Sequence, residues 1–181
     1  MDCKAQTADV KGMLEWPQSF EESFQVLDST SRRGMYFEEF EVGQTIKSPG
    51  RTITESDIVS FAGLSGDYNP IHIDKDFSSK TPYERRIAHG LLGLSVASGL
   101  AFSTGILEGT VIAFRGIEDW KFSLPIFIGD TIHVKVVVEQ TKALPRLGGG
   151  SIVLSLEVIN QKDESLMKGK LNVLVTSKPE E

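Results

Sequence analysis

Residues 87–107, IAHGLLGLSVASGLAFSTGIL, carry no formally charged side chain other than His89. A run of this kind has to be hidden from water, either in lipid or inside protein. A membrane-spanning helix needs roughly twenty mostly apolar residues. This run is diluted by Gly90, Gly93, Ser95, Ser98, Gly99, Ser103, Thr104 and Gly105. It therefore reads as a helix that is apolar on all sides because protein covers it on all sides. The chain after it is strand. Ile132, Val134, Val136 and Val138 alternate with His133, Lys135 and Glu139, and Ile152, Leu154, Leu156 and Val158 alternate with Ser155 and Glu157. Leu171, Val173 and Val175 repeat the pattern near the end, and Val111–Phe122 is a further strand closed by Pro125. Such period-two alternation marks sheet with one buried face. Gly129-Asp130, Gly148-Gly149-Gly150 and Asp163-Glu164-Ser165 supply the turns. A meander of four consecutive strands has one apolar face to cover, and the helix needs cover. The expected class is α+β, an antiparallel β-sheet wrapped around a long central α-helix.

Upstream, residues 1–33 read as a polar leader with a short amphipathic candidate at Met13–Leu27, joined through Ser29–Gly34 to a single domain over 34–181. The leader lacks the apolar core of a secretory signal, and Asp2 and Asp9 argue against a mitochondrial transit peptide. The single cysteine, Cys3, can build neither a disulfide framework nor a thiolate metal site, which fits a cytoplasmic protein. A net charge of -6 leaves no dominant basic surface, so nucleic acid is not an expected partner, and neither is a membrane. Residues 36–53 hold a strand or two around Val42-Gly43 and Ser48-Pro49-Gly50. A helix then starts at an N-cap, Thr54, with Asp57 three residues on and Ile53 and Ile58 placed as a hydrophobic staple. Ser65-Gly66 ends it. Asp67–Ile73 is expected to be loop or extended chain, because Pro70 lacks an N–H and biases Asn69 away from helix.

The chemistry is concentrated in Ser65-Gly66-Asp67-Tyr68-Asn69-Pro70-Ile71-His72, followed by Ile87-Ala88-His89-Gly90. Asp67 and His72 form a potential acid/base pair on a loop that Asn69 and Pro70 stiffen. Adding water to a polarised double bond requires a group to take a proton from water. It also requires one to deliver a proton to carbon, and a donor for the developing enolate oxygen. A carboxylate, an imidazole and the unpaired N–H groups at a helix start opened by Gly90 supply all three. Taken singly, Asp67 is better read as a turn cap and His72 as a solvated loop histidine. Asp67, His72 and His89 are also a conceivable metal set, but their spacing matches no ligand template, and no metal is expected.

The run from Arg51 to Leu100, RTITESDIVSFAGLSGDYNPIHIDKDF…RIAHGLLGLSVASGL, closely resembles the MaoC-like dehydratases, a family that includes the (R)-specific enoyl-CoA hydratases. The Gly-Asp-x-Asn-Pro-x-His signature is matched in full at Gly66–His72, and the resemblance covers roughly residues 36–176. It implies the hot-dog fold, with Asp67 and His72 as the catalytic pair activating one water, and Gly90 as the source of the oxyanion-hole N–H. Asn69, His89 and Ser98 are implied on the substrate side. The implied substrate is an acyl chain on coenzyme A or acyl carrier protein, with no cofactor and a homodimer or dimer of dimers. Hydration of a trans-2-enoyl thioester to an (R)-3-hydroxyacyl thioester is the expected reaction. A hot-dog thioesterase and a non-catalytic acyl-thioester binder are the alternatives. Arg85, Arg86, Arg115 and Arg146 are candidates for the phosphates of coenzyme A, and equally for ordinary solvated surface.

Overall fold

Alternation in the second half of the chain becomes one antiparallel sheet in the computed structural model, which describes residues 34–179. The expected leader and its Met13–Leu27 segment lie outside the described residues. Strands β1 (Thr45–Lys47), β3 (Val111–Phe122), β4 (Thr131–Leu144), β5 (Gly149–Ile159) and β6 (Ser165–Thr176) run in the order β1-β4-β5-β6-β3, and β2 (Arg51–Thr52) pairs with β4. Ile132, Val134, Val136, Val138, Ile152, Leu154 and Val158 are fully buried, as their period requires. Burying each such side chain contributes roughly 1.5–3 kcal/mol.

The expected meander of four consecutive strands needs one correction. β4, β5 and β6 do pair in sequence order, but β3 crosses to the far edge and pairs with β6. The reason lies in residues 123–130. The Ala88 N–H donates to the Ile126 carbonyl (2.8 Å), and Ile87 bridges Phe127. The link is thus tied under the start of the long helix instead of closing a tight hairpin onto β4.

That helix, α4 (Gly90–Phe102), is shorter than its apolar run. Ser103 and Thr104 donate their hydroxyls to the Leu100 and Ala101 carbonyls (2.7 and 2.6 Å), and Gly105 turns the chain at φ 81°. Leu92, Gly93, Val96, Ala97, Leu100 and Ala101 form its buried face. Gly93 permits the approach, because a Cβ there would stand 2.1 Å from the Met167 Cε and 2.8 Å from the Ile126 Cδ1. The opposite face, with Leu91 61% and Phe102 55% exposed, is open. The sheet of one chain therefore covers one side of α4 and not the whole of it. No helix among the described residues is long and apolar enough to cross a membrane.

The Gly148–Gly150 cluster also divides differently from its turn reading. Gly148 turns the chain at φ 63°, whereas Gly149 and Gly150 open β5. A Cβ on Gly149 would lie 2.1 Å from the Val175 carbonyl oxygen, a backbone atom that cannot swing aside. Gly149→Ala is expected to destabilise the fold by about 1–3 kcal/mol, the usual range for overpacking. A denaturant melt of the variant checks this, and an unchanged midpoint would refute the close approach.

Candidate active site

Two short helices and one extended segment hold the signature residues. Helix α1 (Glu55–Ser65) starts at Thr54 as expected. Thr54 Oγ1 accepts the Asp57 N–H (3.2 Å), and Asp57 Oδ2 accepts the Thr54 N–H (2.8 Å). Ile53 and Ile58 are both fully buried. Gly66 ends the helix in the left-handed region at φ 76°. Asn69 is non-helical, as Pro70 dictates, but Pro70–Ile73 is a helical turn, α2, where loop or extended chain was expected. Proline is well placed at a first helical position, where no N–H is needed and its fixed φ suits the turn. Asn69 Oδ1 completes the cap by accepting the Ile71 N–H (3.2 Å). A second turn, α3 (Lys75–Ser78), follows, capped by Asp74 Oδ1 on the Phe77 N–H.

This turn of helix carries His72 inward, to 7% exposure. Its Nδ1 lies 2.8 Å from the Ile87 carbonyl oxygen. A carbonyl only accepts, so Nδ1 holds the proton, and in the neutral ring Nε2 is the bare acceptor. The Ile87 N–H in turn donates to the Ile71 carbonyl (3.2 Å), which ties α2 to the segment leading into α4. His89, the N-cap residue of α4, is 2% exposed. Its Nε2 donates to the main-chain oxygen of Asp67 (2.9 Å). Its ring stacks on His72 with centroids 3.8 Å apart, and Phe61 packs on it at 5.0 Å. Asp67 is exposed, and its Oδ1 accepts the Asn69 N–H (3.2 Å).

A carboxylate oxygen of Asp67 and one ring nitrogen each from His72 and His89 lie within 4.8 Å of one another. The set contains metal-ligand chemistry, but its geometry fits an ion poorly. A metal sits in the plane of each imidazole that binds it. Two rings stacked at an interplanar angle of 28° have planes that do not meet within the roughly 2.1 Å of a metal–nitrogen bond.

His72, His89 and Gly90 line a cavity of about 350 Å³ together with Ile71, Tyr83, Phe122, Leu124, Ile126 and Met167. The apolar walls come from distant parts of the chain and carried no local signal in the sequence. Gly90 is the first residue of α4, where backbone N–H groups have no helical partner. A Cβ there would approach the Phe122 ring at 3.0 Å. Ser98 is exposed and stands two turns along α4, roughly 12 Å from Gly90 at 1.5 Å per residue. One chain does not bring it to this cavity. Of the four arginines, Arg86 is ion-paired with Glu55 (2.5 Å), and Arg85 lies over the Phe127 ring at 3.8 Å. Arg115 is exposed on β3, and Arg146 sits in the 3-10 turn Pro145–Leu147.

Burial holds His72 below the ordinary histidine range, and the adjoining His89 adds to this. The Ile87 hydrogen bond and the Asp67 charge oppose the shift without cancelling it. His72 is therefore neutral at pH 7. Any rate that needs its bare Nε2 is expected to fall only on the acid side, below the unperturbed value of about 6.5. Stability follows the same sign. The unfolded chain takes up the proton first, so the contribution is present above about 6.5 and is lost as pH falls through the folded value. A kcat/KM profile checks the rate limb. A limb at or above 6.5 would contradict a neutral, buried His72.

The described geometry has relatives. Residues 38–152 match the family model for the MaoC like domain. The chain is 34% identical to a 3-hydroxybutyryl-CoA dehydratase of Methylorubrum extorquens, over 82% of this chain and 88% of that one. It is 39% identical to an (R)-specific enoyl-CoA hydratase of Rhodospirillum rubrum, over 57% of this chain and 69% of the relative. It is 40% identical to Protein MaoC of Klebsiella aerogenes over 58% of this chain, but spans only 31% of that longer protein. Among solved structures, the monoamine oxidase regulatory protein from Archaeoglobus fulgius superposes with a TM-score of 0.76 at 36% identity, covering 82% of this chain and 98% of that one. A Mycobacterium tuberculosis protein with a double hotdog fold superposes at 0.72 over 82% of this chain and 46% of that one, and at 20% identity it speaks for the fold alone. The family match runs through the whole signature segment and most of the sheet, so this protein belongs to the MaoC-like hydratase/dehydratase family and has the hot-dog fold.

Proposed function

We propose that the protein is a hydro-lyase that adds water reversibly to a trans-2-enoyl thioester, giving an (R)-3-hydroxyacyl thioester. The observation that carries this reading is the convergence of the Asp67 carboxylate and the buried His72. His72 lines one cavity with the start of α4. Neutral His72 offers Nε2 as an acceptor, and the Asp67 carboxylate is a second acceptor. A water donating one proton to each keeps a lone pair free for the β-carbon. As the C–O bond forms, one acceptor takes the water proton and the double-bond electrons move toward the thioester oxygen. The Gly90 N–H, at the positive end of α4, is suited to receive that oxygen charge. Return of the proton to the α-carbon completes the addition with no net change in the site. Dehydration is the same path reversed.

The test is the loss of enoyl-thioester absorbance with crotonyl-CoA, followed by longer and branched chains and by the acyl carrier protein thioesters. Release of free thiol without loss of the double bond would assign a thioesterase instead. Binding without either signal would assign an acyl-thioester binder. Coupling to stereospecific hydroxyacyl dehydrogenases reads the hand, and turnover by only the (S)-specific partner would refute the (R) assignment. The relatives' printed activities support the reaction class, and the single cysteine is consistent with a cytoplasmic setting.

We also propose a homodimer formed along β3, which a dimer of dimers would extend. β3 ends the sheet, and Ile112, Phe114, Ile117 and Phe122 on it are 43–54% exposed. A long apolar edge strand invites strand pairing, and pairing with its own copy across a two-fold axis closes it.

A further inference from the structure

We propose that His89 is a positioning residue: its Nε2–H, donated to the Asp67 main-chain oxygen, and its ring, stacked on His72, lock the two proton acceptors of the site to each other. The inference rests on the hydratase reading and goes beyond it, since His89 then acts through Asp67 and His72 and not by touching the thioester. Three observations meet at this ring. The first is that Nε2 is 2.9 Å from the Asp67 carbonyl, 22 residues back in the chain. The second is that the ring lies flat against His72, with centroids 3.8 Å apart, while Phe61 closes it from another side. The third is that Nδ1 is fully buried and has no hydrogen-bond partner among the described residues.

A buried polar atom left unpaired is destabilising. A ring kept for packing alone would be better served by phenylalanine, and a tie kept for its hydrogen bond alone would be better served by an amide. The imidazole supplies both a flat face for His72 and a donor at the far end for Asp67. The Asp67 carbonyl accepts, so Nε2 of His89 carries a proton, and in the neutral ring Nδ1 is bare. The titratable groups facing it are Asp67 and His72. Without the tie, Asp67 sits on an exposed link held by Ser65 Oγ to its own N–H (3.2 Å) and by the Asn69 contact. The spacing between the carboxylate and His72 would then be free to vary. Displacements of about 1 Å cost on the order of a hundredfold in rate.

The experiment compares His89→Phe, which keeps a ring without the donor, with His89→Gln, which places an amide N–H near the Nε2 position without the ring. Both are assayed with crotonyl-CoA after a thermal melt. In His89→Phe, kcat is expected to fall by about 10- to 100-fold with KM within about twofold, the pattern of lost alignment. His89→Gln should recover part of kcat. The full chain labelled with 15N supplies a readout that needs no turnover. Long-range imidazole spectra at neutral pH should show His89 protonated at Nε2 and bare at Nδ1, and the Asp67 and Tyr68 amide signals should move in His89→Phe and less in His89→Gln. A His89 protonated at Nδ1 would overturn the proposal. So would folded variants that keep kcat within about twofold, or a glutamine variant no better than phenylalanine. If the phenylalanine variant does not fold, the glutamine variant and the tautomer spectrum decide. If the wild type hydrates no enoyl thioester, the hydratase reading fails on its own, and the spectra still test the tie.

Discussion

Asp67→Asn and His72→Ala are each expected to lower kcat by at least about 10²–10⁴-fold, the range of general acid–base assistance, and the double variant is expected to lose little more than either single one. The two groups hold one water in the proposed reaction, and residues that act as a unit are strongly non-additive. Asp67→Asn is the cleaner probe. The amide keeps an oxygen for the Asn69 N–H, 3.2 Å away, and removes only the base. His72→Ala also removes the Nδ1–H from the Ile87 carbonyl and leaves that buried oxygen without its 2.8 Å donor. Some loss of stability is therefore expected there, on the order of 1–3 kcal/mol. Kinetics of the two singles and the double, read beside thermal melts, distinguish the cases. Folded singles that lose less than about tenfold would show that Asp67 and His72 are not the catalytic pair. Activity lost only through unfolding would reduce Asp67 to a turn cap.

Charge placed on β3 is expected to have the second large effect. Phe114 is 54% and Ile117 43% exposed in the single chain, and in the proposed dimer both are covered. Replacing both with lysine buries two cations and their copies across the two-fold axis, without partners. Each such burial costs several kcal/mol unless the charge is relieved, so dimer affinity should fall by at least about a hundredfold, at 1.4 kcal/mol per tenfold. Sedimentation should then show monomer where the wild type is dimeric. Because Ser98 sits on the open face of α4 and outside the cavity of one chain, kcat/KM should fall with dimer content if the partner completes the site. A wild-type chain that sediments as a monomer at micromolar concentration would end the dimer proposal. A double variant that stays dimeric would move the interface elsewhere.

The sequence by itself determined the local events, because their causes are local. Thr54 and Asp57 cap α1 wherever α1 goes, Gly66 ends it, and Pro70 keeps Asn69 out of helix. The period-two runs became buried strands for the same reason: one face of each had no alternative to burial. The catalytic candidates could be named from the Gly66–His72 signature and its resemblance to a family. Taken singly, the residues favoured a turn cap for Asp67 and a solvated loop position for His72.

Tertiary structure decided what depends on neighbours distant in the chain. β3 paired with β6 and not with β4 because the link at 123–130 is tied beneath Ala88, which no pattern within β3 encodes. The apolar run at 87–107 read as needing cover on every side, yet hydropathy does not say whose atoms provide it. One chain covers a single face of α4, and the other is open. His72 looked like a loop residue, and its burial comes from the turn at Pro70–Ile73 docking against Ile87. Its neutral state follows from that burial, so it was invisible until the packing was known. His89 was legible as the residue before a helix, but its stack on His72 and its bond to Asp67 required α1, α2 and α4 to meet. Sequence periodicity reports which side of an element avoids water. Only the assembled fold reports which atoms, from which strand or helix, stand on the other side.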